Sequence, residues 1–258
     1  MSTTRPAFAD AVLVVIGFYS RLPVPPARHV PALAEAVWAV PLAAVAVAAP
    51  AAGLLLLASL LGASSLFAAT LAVAALVVVT GALHEDGLAD CADGFWGGAA
   101  RLRRLEIMRD SRIGTYGVLA LVLAVLAKVA LLAEAIEAGL ATAALLLVAA
   151  AVAGRTVALY PWVGLPNARE DGLASAMGRP TTATFRRAVL LGLLVTVLLL
   201  AWRAPLGVLV AAGAAALSAK AVASLADRKI GGHTGDVIGA AVVLGDLTYL
   251  AAFTIWAT

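Results

Sequence analysis

Residues 84–94, HEDGLADCADG, contain four acidic side chains directly after an apolar run. Three of them, Asp86, Asp90 and Asp93, are spaced i, i+4 and i+7, so on a helix all three project from one face. Carboxylates that converge in this way repel each other unless a cation neutralises them, and hard oxygen ligands suit Mg²⁺, Mn²⁺ or Ca²⁺. The spacing therefore predicts that the three aspartates hold a metal ion and are catalytic. The alternative is a solvated, acidic helix start at a membrane surface.

A second charged segment, residues 101–117, has the sequence RLRRLEIMRDSRIGTYG. Glu106 and Asp110 are spaced i, i+4, and Arg109 and Arg112 are spaced i, i+3, so each pair shares a helix face. Carboxylates for a metal beside arginines for phosphate oxygens are the groups that phosphoryl transfer requires. These four residues are therefore predicted to bind substrate. The alternative is that the acids only pair with the arginines at a solvated surface.

A glycine-rich segment, residues 231–236 (GGHTGD), precedes the last apolar run. Glycines before a helix start allow backbone N–H groups to face an anion, and the helix dipole adds to that attraction. His233 and Asp236 are candidates for completing a metal site or orienting a nucleophile. The alternative is an ordinary tight turn in which Asp236 is the N-cap of the following helix.

The composition indicates a membrane protein with one all-helical domain over residues 1–258. Of the 258 residues, 63% are hydrophobic and 13% charged, and the mean hydropathy is +1.02; soluble domains are nearer half apolar and a quarter charged. The net charge of +3 is too small to indicate nucleic-acid binding. Cys91, the single cysteine, excludes an intramolecular disulfide.

About seven membrane spans are predicted from runs long enough to cross a bilayer core. They lie at about 33–60, 66–83, 116–134, 140–162, 188–202, 206–225 and 237–257. Pro41 and Pro50 are expected to kink the first span. The shorter apolar run at 11–19 is predicted to be an interfacial or re-entrant helix.

The basic residues predict the orientation, because cytoplasmic segments carry an excess of Lys and Arg. Fourteen of the eighteen basic residues lie in segments 1–31, 84–115, 163–187 and 226–236, whereas the opposite loops contain only Arg203. The charged segments described above are therefore predicted to face the cytoplasm. The polar loop at 161–187, which includes residues 169–173 (REDGL), is either a lid or nucleotide contact, or a plain solvated loop.

Lys128, Arg155 and Asp246 fall well inside predicted spans, where each is expected to face the bundle interior and have a partner. Lys128 and Asp246 lie at similar depth, near the middle of the membrane, so depth alone allows an ion pair between them, either as a helix-packing lock or as part of a substrate site. Arg155 lies nearer the cytoplasmic side and is the better candidate for contacting a phosphate.

Four segments, in this order and separation, resemble the cobalamin synthase family, the adenosylcobinamide-GDP ribazoletransferases. They are residues 19–25 (YSRLPVP), 84–94 (HEDGLADCADG), 105–114 (LEIMRDSRIG) and 231–236 (GGHTGD). The resemblance covers essentially the whole chain. Two positions depart from the family pattern: Glu85 stands where an apolar residue is expected, and His233 stands where glutamine is frequent.

The resemblance implies an activity, a cofactor and partners. Such enzymes join adenosylcobinamide-GDP to α-ribazole or its 5′-phosphate and release GMP, with Mg²⁺, in the inner membrane of bacteria. It thus implies a lipid bilayer around the protein, and it is compatible with a homo-oligomer or an association with other cobalamin-assembly enzymes.

A mechanistic hypothesis joins this reaction to the residues. Asp86, Asp90 and Asp93 would hold one or two Mg²⁺ ions at the pyrophosphate, and one of these acids or Asp236 would accept the proton of the attacking ribose hydroxyl. Stabilisation of the additional negative charge is assigned to three arginines, Arg109, Arg112 and Arg155. Two other classes are the alternatives: a phosphotransferase acting on a CDP-alcohol, and a cation transporter lined by the same acids together with Lys128 and Asp246.

Overall fold

The computed structural model describes residues 8–27, 30, 32–169 and 177–257. Within these ranges the secondary structure is helical, without a strand, which confirms the predicted all-α bundle. The helices are α1 (Phe8–Tyr19), α2 (Leu33–Ala36), α3 (Val40–Leu60), α4 (Ser65–Thr80), α5 (Leu83–Gly97), α6 (Arg101–Ile107), α7 (Thr115–Ala138), α8 (Leu140–Val157), α9 (Leu159–Gly164), α10 (Thr182–Leu200), α11 (Pro205–Ile230) and α12 (Gly235–Ala257).

The number of spans agrees with the prediction. Six helical segments of the described chain are long and apolar enough to cross a membrane, and a bent pair, α4 with α5, would be the seventh. The first span is interrupted, because a 3-10 turn at Val37–Ala39 separates α2 from α3 just before Pro41. Pro50 lies inside α3. The helix predicted at 188–202 is α10, which begins six residues earlier, at Thr182.

Helices α8 and α12 form the centre of the bundle, and small residues let them approach closely. A Cβ placed on Gly245 would lie 2.9 Å from the Cα of Gly154, so the two backbones are in direct contact at this point. Such contacts between small residues are the usual means of packing helices in a membrane, where apolar burial alone drives no association. The two central helices therefore have a fixed separation at mid-bundle.

An ion pair between Lys128 and Asp246 lies in the same region, so each of these residues has the partner that is expected of a charge inside a span. The Nζ of Lys128 is 3.1 Å from Oδ2 of Asp246, and both side chains are at least nine-tenths buried. The pair joins α7 to α12. Because leaving either charge buried alone would be costly, the contact fixes the two helices relative to each other.

The span predicted at 66–83 corresponds to α4, and the sharp bend that follows it was not predicted. Helix α4 ends at Thr80, and α5 leaves the junction at an angle of 89° to it. Gly81 and Ala82 both have left-handed backbone angles, with φ of 64° and 57°. That conformation is accessible to glycine at little cost but costs about 1–2 kcal/mol for a residue with a Cβ. The bend turns the acidic segment away from the direction of α4. The apolar periodicity of the sequence does not indicate such a bend.

Candidate active site

The acidic segment forms one helix, α5, as predicted, so Asp86, Asp90 and Asp93 share a face of it. Their burial differs: Asp86 is exposed, Asp90 is half-buried and Asp93 is buried. The burial of the three carboxylates therefore increases along α5 from Asp86 to Asp93.

Helix α12 packs against α5 through a glycine contact. A Cβ on Gly87 would lie 2.8 Å from the carbonyl oxygen of Asp236 and 3.2 Å from the Cα of Gly239. Because no side chain separates the two backbones, Asp236 lies beside the part of α5 that carries Asp86 and Asp90. The negative charges of Asp236, Asp86 and Asp93 all act on the Asp90 carboxylate, opposed by the positive charge of Arg169.

Asp236 is held in place by residues of two loops. The hydroxyl of Thr234 donates to Oδ2 of Asp236 at 3.1 Å, and a guanidinium nitrogen of Arg169 lies 3.9 Å from the same oxygen. The alternative interpretation, in which Asp236 is the N-cap of its own helix, is wrong. The hydroxyl of Thr234 accepts the N–H of Val237 at 3.4 Å, so Thr234 caps α12 and the Asp236 carboxylate faces α5.

Asp93 has a different environment from the other two aspartates of α5. Its Oδ2 accepts the N–H of Gly114 at 2.7 Å and its Oδ1 accepts the N–H of Gly117 at 2.9 Å. These N–H groups belong to the first turn of α7, where helical partners are absent. A Cβ on either glycine would clash with the carboxylate. Asp93 therefore caps α7 and joins it to α5.

The donor atoms at this end of the bundle suit a divalent cation. Within the described ranges, no three His, Cys, Asp or Glu side chains are already grouped closely enough to enclose a metal ion. Asp86, Asp90 and Asp236 nevertheless supply hard oxygen atoms from two contacting helices, and their charges repel each other, opposed by the positive charge of Arg169. Such a set is stabilised by a cation such as Mg²⁺. The metal-ligand assignment of Asp93 stays a prediction.

The glycine-rich loop before α12 is joined to the loop after α9. His233 donates its N–H to the carbonyl oxygen of Pro166 at 2.9 Å, and Ala168 donates its N–H to the carbonyl oxygen of His233, also at 2.9 Å. A Cβ on Gly232 would clash with Pro166, so a glycine is required there for close approach. The His233 side chain is buried, and burial lowers its pKa to about 4. The imidazole is therefore neutral near pH 7, and its substrate-binding role stays a prediction.

Helix α6 attaches to the end of α11 through two arginines. Arg101 donates to the carbonyl oxygen of Ile230 at 2.6 Å, and Arg104 donates to that of Lys229 at 3.0 Å. Cationic groups at the last carbonyls of a helix satisfy those acceptors and oppose the negative end of its dipole. These two arginines thus hold α6 against the site.

Glu106 and Arg109 both line a pocket of about 290 Å³ beside α6, together with Arg101 and Arg169. Glu106 also forms a 3.0 Å ion pair with Arg103 at the exposed surface. Arg169 links this pocket to the carboxylates, since it also lies near Asp236. It was not among the predicted site residues. Its position in a polar loop after α9 was the only sequence signal for it.

Asp110 and Arg112 form an exposed ion pair, with a nitrogen–oxygen distance of 2.7 Å. The hydrogen bond from Arg112 lowers the pKa of Asp110 to about 2. Both residues line a neighbouring open pocket of about 380 Å³ that also includes Asp93 and Tyr116. The surface-pairing alternative thus accounts for their geometry, and substrate binding by them stays a prediction.

Arg155 is fully buried near the end of α8 and lies apart from the carboxylate face of α5. Its charge acts on Tyr19 and His84, and it donates to the carbonyl oxygen of Ala151 at 3.2 Å. His84 is two residues before Asp86, about 200° around the helix at 3.6 residues per turn. Arg155 is therefore associated with the opposite face of α5 from the aspartates.

Residues 170–176 of the polar loop lie outside the described residues, so the choice between a lid or nucleotide contact and a plain solvated loop stays open. Of the segment from 169 to 173, only Arg169 is described. It donates to the carbonyl oxygen of Leu105 at 3.1 Å, which anchors this end of the loop to α6.

The bundle and the carboxylates at one of its ends define a multi-pass membrane protein with an acidic site flanked by arginines. A family model described as cobalamin-5-phosphate synthase matches residues 11–254. The chain belongs to this family, which confirms the resemblance seen in the four sequence segments.

Curated relatives support this membership over nearly the full length. The chain is 46% identical over 246 residues to the adenosylcobinamide-GDP ribazoletransferase of Azorhizobium caulinodans, covering 93% of each chain. It is 44% identical over 255 residues to the protein of that name from Sinorhizobium sp, covering 96% of this chain and 97% of the relative. It is 40% identical over 250 residues to the protein of that name from Bradyrhizobium diazoefficiens, covering 96% of this chain and 94% of the relative. No solved structure matches the chain.

Proposed function

We propose that this protein is an adenosylcobinamide-GDP ribazoletransferase. It joins adenosylcobinamide-GDP to α-ribazole or its 5′-phosphate and releases GMP. The observation that carries the proposal is the contact of α5 with α12, which brings Asp236 beside Asp86 and Asp90 in a chain that matches the family over residues 11–254. Carboxylates on contacting helices at one end of the bundle suit the displacement of a nucleoside monophosphate from a pyrophosphate.

Asp86, Asp90 and Asp236 are the residues that would hold Mg²⁺. A bound Mg²⁺ would neutralise the negative charge of the pyrophosphate oxygens. Asp93 is assigned mainly to positioning, because both of its oxygens already accept N–H groups of α7. Arg169 restrains Asp236, since one of its guanidinium nitrogens lies 3.9 Å from Oδ2 of that residue.

The reaction exchanges one phosphorus–oxygen bond for another. A ribose hydroxyl of α-ribazole attacks the phosphorus attached to cobinamide, the bond from that phosphorus to the bridging oxygen breaks, and GMP leaves with the oxygen. The proton of the hydroxyl passes to a carboxylate of the site, Asp90 or Asp236. No oxidant or further reactant is required.

Glu106 and Arg109 are proposed to contact the nucleotide of the substrate. The pocket that they line, with Arg101 and Arg169, has a volume of about 290 Å³, close to the lower end of the range for small-molecule sites. Guanidinium groups suit phosphate oxygens, and a carboxylate suits the N–H donors of a guanine edge. Arg112 is more exposed and would contact only a part of the substrate that extends beyond Asp110.

The site is proposed to face the cytoplasm of a bacterial inner membrane. Arg101 and Arg104 of α6 and Arg228 and Lys229 of α11 lie at the same end of the bundle as the carboxylates, and basic residues favour the cytoplasmic side. The substrates would then reach the site from the cytoplasm. This gathering of acids at one end also disfavours a transport path, which would place them along the depth of several helices.

The test is GMP release by the purified protein in detergent or liposomes. The protein is supplied with adenosylcobinamide-GDP and α-ribazole 5′-phosphate, with Mg²⁺ or with EDTA. We expect GMP and cobalamin 5′-phosphate in equal amounts with Mg²⁺ and neither with EDTA. Asp90→Asn should abolish both products. Asp227→Asn, which alters an exposed aspartate at the same end of the bundle, should not.

Absence of both products with well-folded protein would refute the assignment. CDP-alcohol substrates would then be supplied in the same assay, because aspartates on membrane helices are also suited to that phosphotransferase reaction. Product formation that persists in EDTA would refute the metal assignment while leaving the transferase activity in place.

A further inference from the structure

The chain that follows α1 packs on the bend between α4 and α5. Arg21 donates its backbone N–H to the carbonyl oxygen of Val79 at 2.7 Å. The carbonyls of Val77 and Val78, in the same last turn of α4, accept the N–H groups of Ala82 and Gly81. Since carbonyls in the last turn of a helix have no intrahelical partner, the N-terminal segment supplies one of the contacts that close this helix end.

The Arg21 side chain covers the bend itself. A Cβ on Gly81 would lie 2.7 Å from Nε of Arg21, so the guanidinium stem lies directly over the left-handed residue. Ser20 ends α1 next to this contact, since its hydroxyl donates to the carbonyl oxygen of Ile16 at 2.8 Å and accepts the N–H of Leu22. The arginine is therefore held on a short, hydrogen-bonded turn.

Tyr19 packs on the back of α5. Its ring stacks on His84 with centroids 5.6 Å apart and an interplanar angle of 22°, and both side chains are buried. His84 projects from the face of α5 opposite Asp86. The buried charge of Arg155 acts on both rings from α8. Tyr19 and Arg21 thus contact the start of α5 and the bend before it.

We propose that Tyr19 and Arg21 are positioning residues that set the orientation of α5 and thereby the distance from Asp86 and Asp90 to Asp236. The inference rests on the proposed function. The bend consists of two successive left-handed residues, and such a junction has other accessible backbone conformations. The contacts of Tyr19 and Arg21 select the one in which the carboxylates of α5 face α12. A displacement of about 1 Å at reacting groups can reduce a rate by about 100-fold.

The test compares Tyr19→Leu with two matched variants. Tyr19→Phe keeps the stacking on His84. Phe18→Leu removes a similar ring from the neighbouring residue, whose ring centroid lies 5.0 Å from that of Tyr19. We expect Tyr19→Leu to lower kcat about 10- to 100-fold and to raise the Mg²⁺ concentration for half-maximal GMP release. The KM for adenosylcobinamide-GDP should change less than kcat. Tyr19→Phe and Phe18→Leu should remain near wild type in all three quantities.

Amide hydrogen exchange of residues 83–97 provides a measurement independent of the transferase assay. We expect faster exchange there in Tyr19→Leu and Arg21→Ala, and wild-type exchange in Phe18→Leu and Arg21→Lys. Wild-type exchange over 83–97 in both Tyr19→Leu and Arg21→Ala would overturn the inference. If Tyr19→Leu does not fold, the exchange measurement on Arg21→Ala provides the test. If the wild-type protein releases no GMP, the proposed function fails, and exchange alone then decides the positioning role.

Discussion

Gly87 of α5 lies directly against the backbone of Asp236 in α12. A Cβ at position 87 would be 2.8 Å from the Asp236 carbonyl oxygen and 3.0 Å from its Cα. The two helices that carry the candidate ligands therefore meet at a point with no room for a methyl group. The separation of Asp236 from Asp86 and Asp90 depends on this contact.

Gly87→Ala is expected to separate α5 from α12 and lower GMP release at least 10-fold. Overpacking at a backbone contact should also cost about 1–3 kcal/mol of stability. Gly53→Ala in α3 is the matched control, because a Cβ there meets no atom within 4 Å. Activity assays and thermal unfolding in detergent would test this. Wild-type activity of Gly87→Ala would show that the contact does not set the site geometry.

Asp93→Asn is expected to act on stability more than on the metal requirement. Asparagine replaces one of the two accepting oxygens with an NH2 group, a donor that would face the N–H of Gly114 or Gly117, so about 1–3 kcal/mol of stability should be lost. Asp90→Asn should instead abolish activity with little change in unfolding temperature. Mg²⁺ titration of GMP release distinguishes the two. A greatly raised Mg²⁺ requirement in Asp93→Asn, with wild-type stability, would restore Asp93 as a metal ligand.

Lys128→Met should be strongly destabilising. It leaves Asp246 charged and buried, and breaking one side of a buried ion pair typically costs about 3–5 kcal/mol. The double variant Lys128→Met/Asp246→Asn should be more stable than Lys128→Met alone, because no buried charge then remains unpaired. Thermal unfolding of the two single variants and the double variant would measure the coupling. Additive effects would argue against a direct interaction between the two side chains.

Stability should decrease as the pH falls below about 6.5, the usual pKa of a histidine. Burial lowers the pKa of folded His233 to about 4, so between these pH values the unfolded chain binds a proton that the folded chain does not. The contribution of neutral His233 to the free energy of unfolding is therefore fully present above pH 6.5 and is lost as the pH falls through 4. His233→Gln removes this titration. A plot of unfolding temperature against pH should be flatter for the variant, and identical slopes would contradict the prediction.

Patterns that are local in the chain were sufficient for several features. The spacing of Asp86, Asp90 and Asp93 predicted a helix with one acidic face, and α5 has it. Runs of apolar residues predicted about seven spans, and the described chain has six long apolar helices and the bent pair of α4 and α5. A charge in an apolar bundle requires a partner, and the similar depth of Lys128 and Asp246 allowed the ion pair that the structure contains.

Other features depended on how the helices pack. The 89° bend after Thr80 reflects two left-handed residues, Gly81 and Ala82. Gly81 is covered by Arg21, which is about sixty residues earlier in the chain. The capping of α7 by Asp93 requires that the start of α7 meet the side of α5. Arg169 reaches Asp236 only because the loop after α9 is hydrogen-bonded to the loop before α12.

The sequence by itself determined the membrane bundle, the acidic face of α5 and the family, because composition, helical periodicity and motif order are properties of neighbouring residues. Only the tertiary structure decided that Asp236 lies beside Asp86 and Asp90, that Asp93 caps α7, and that Arg155 belongs to the opposite face of α5. Those outcomes depend on close backbone approaches at glycines such as Gly87, and the partner at each approach is distant in the chain. Distances between helices arise from packing, which periodicity along one helix does not specify.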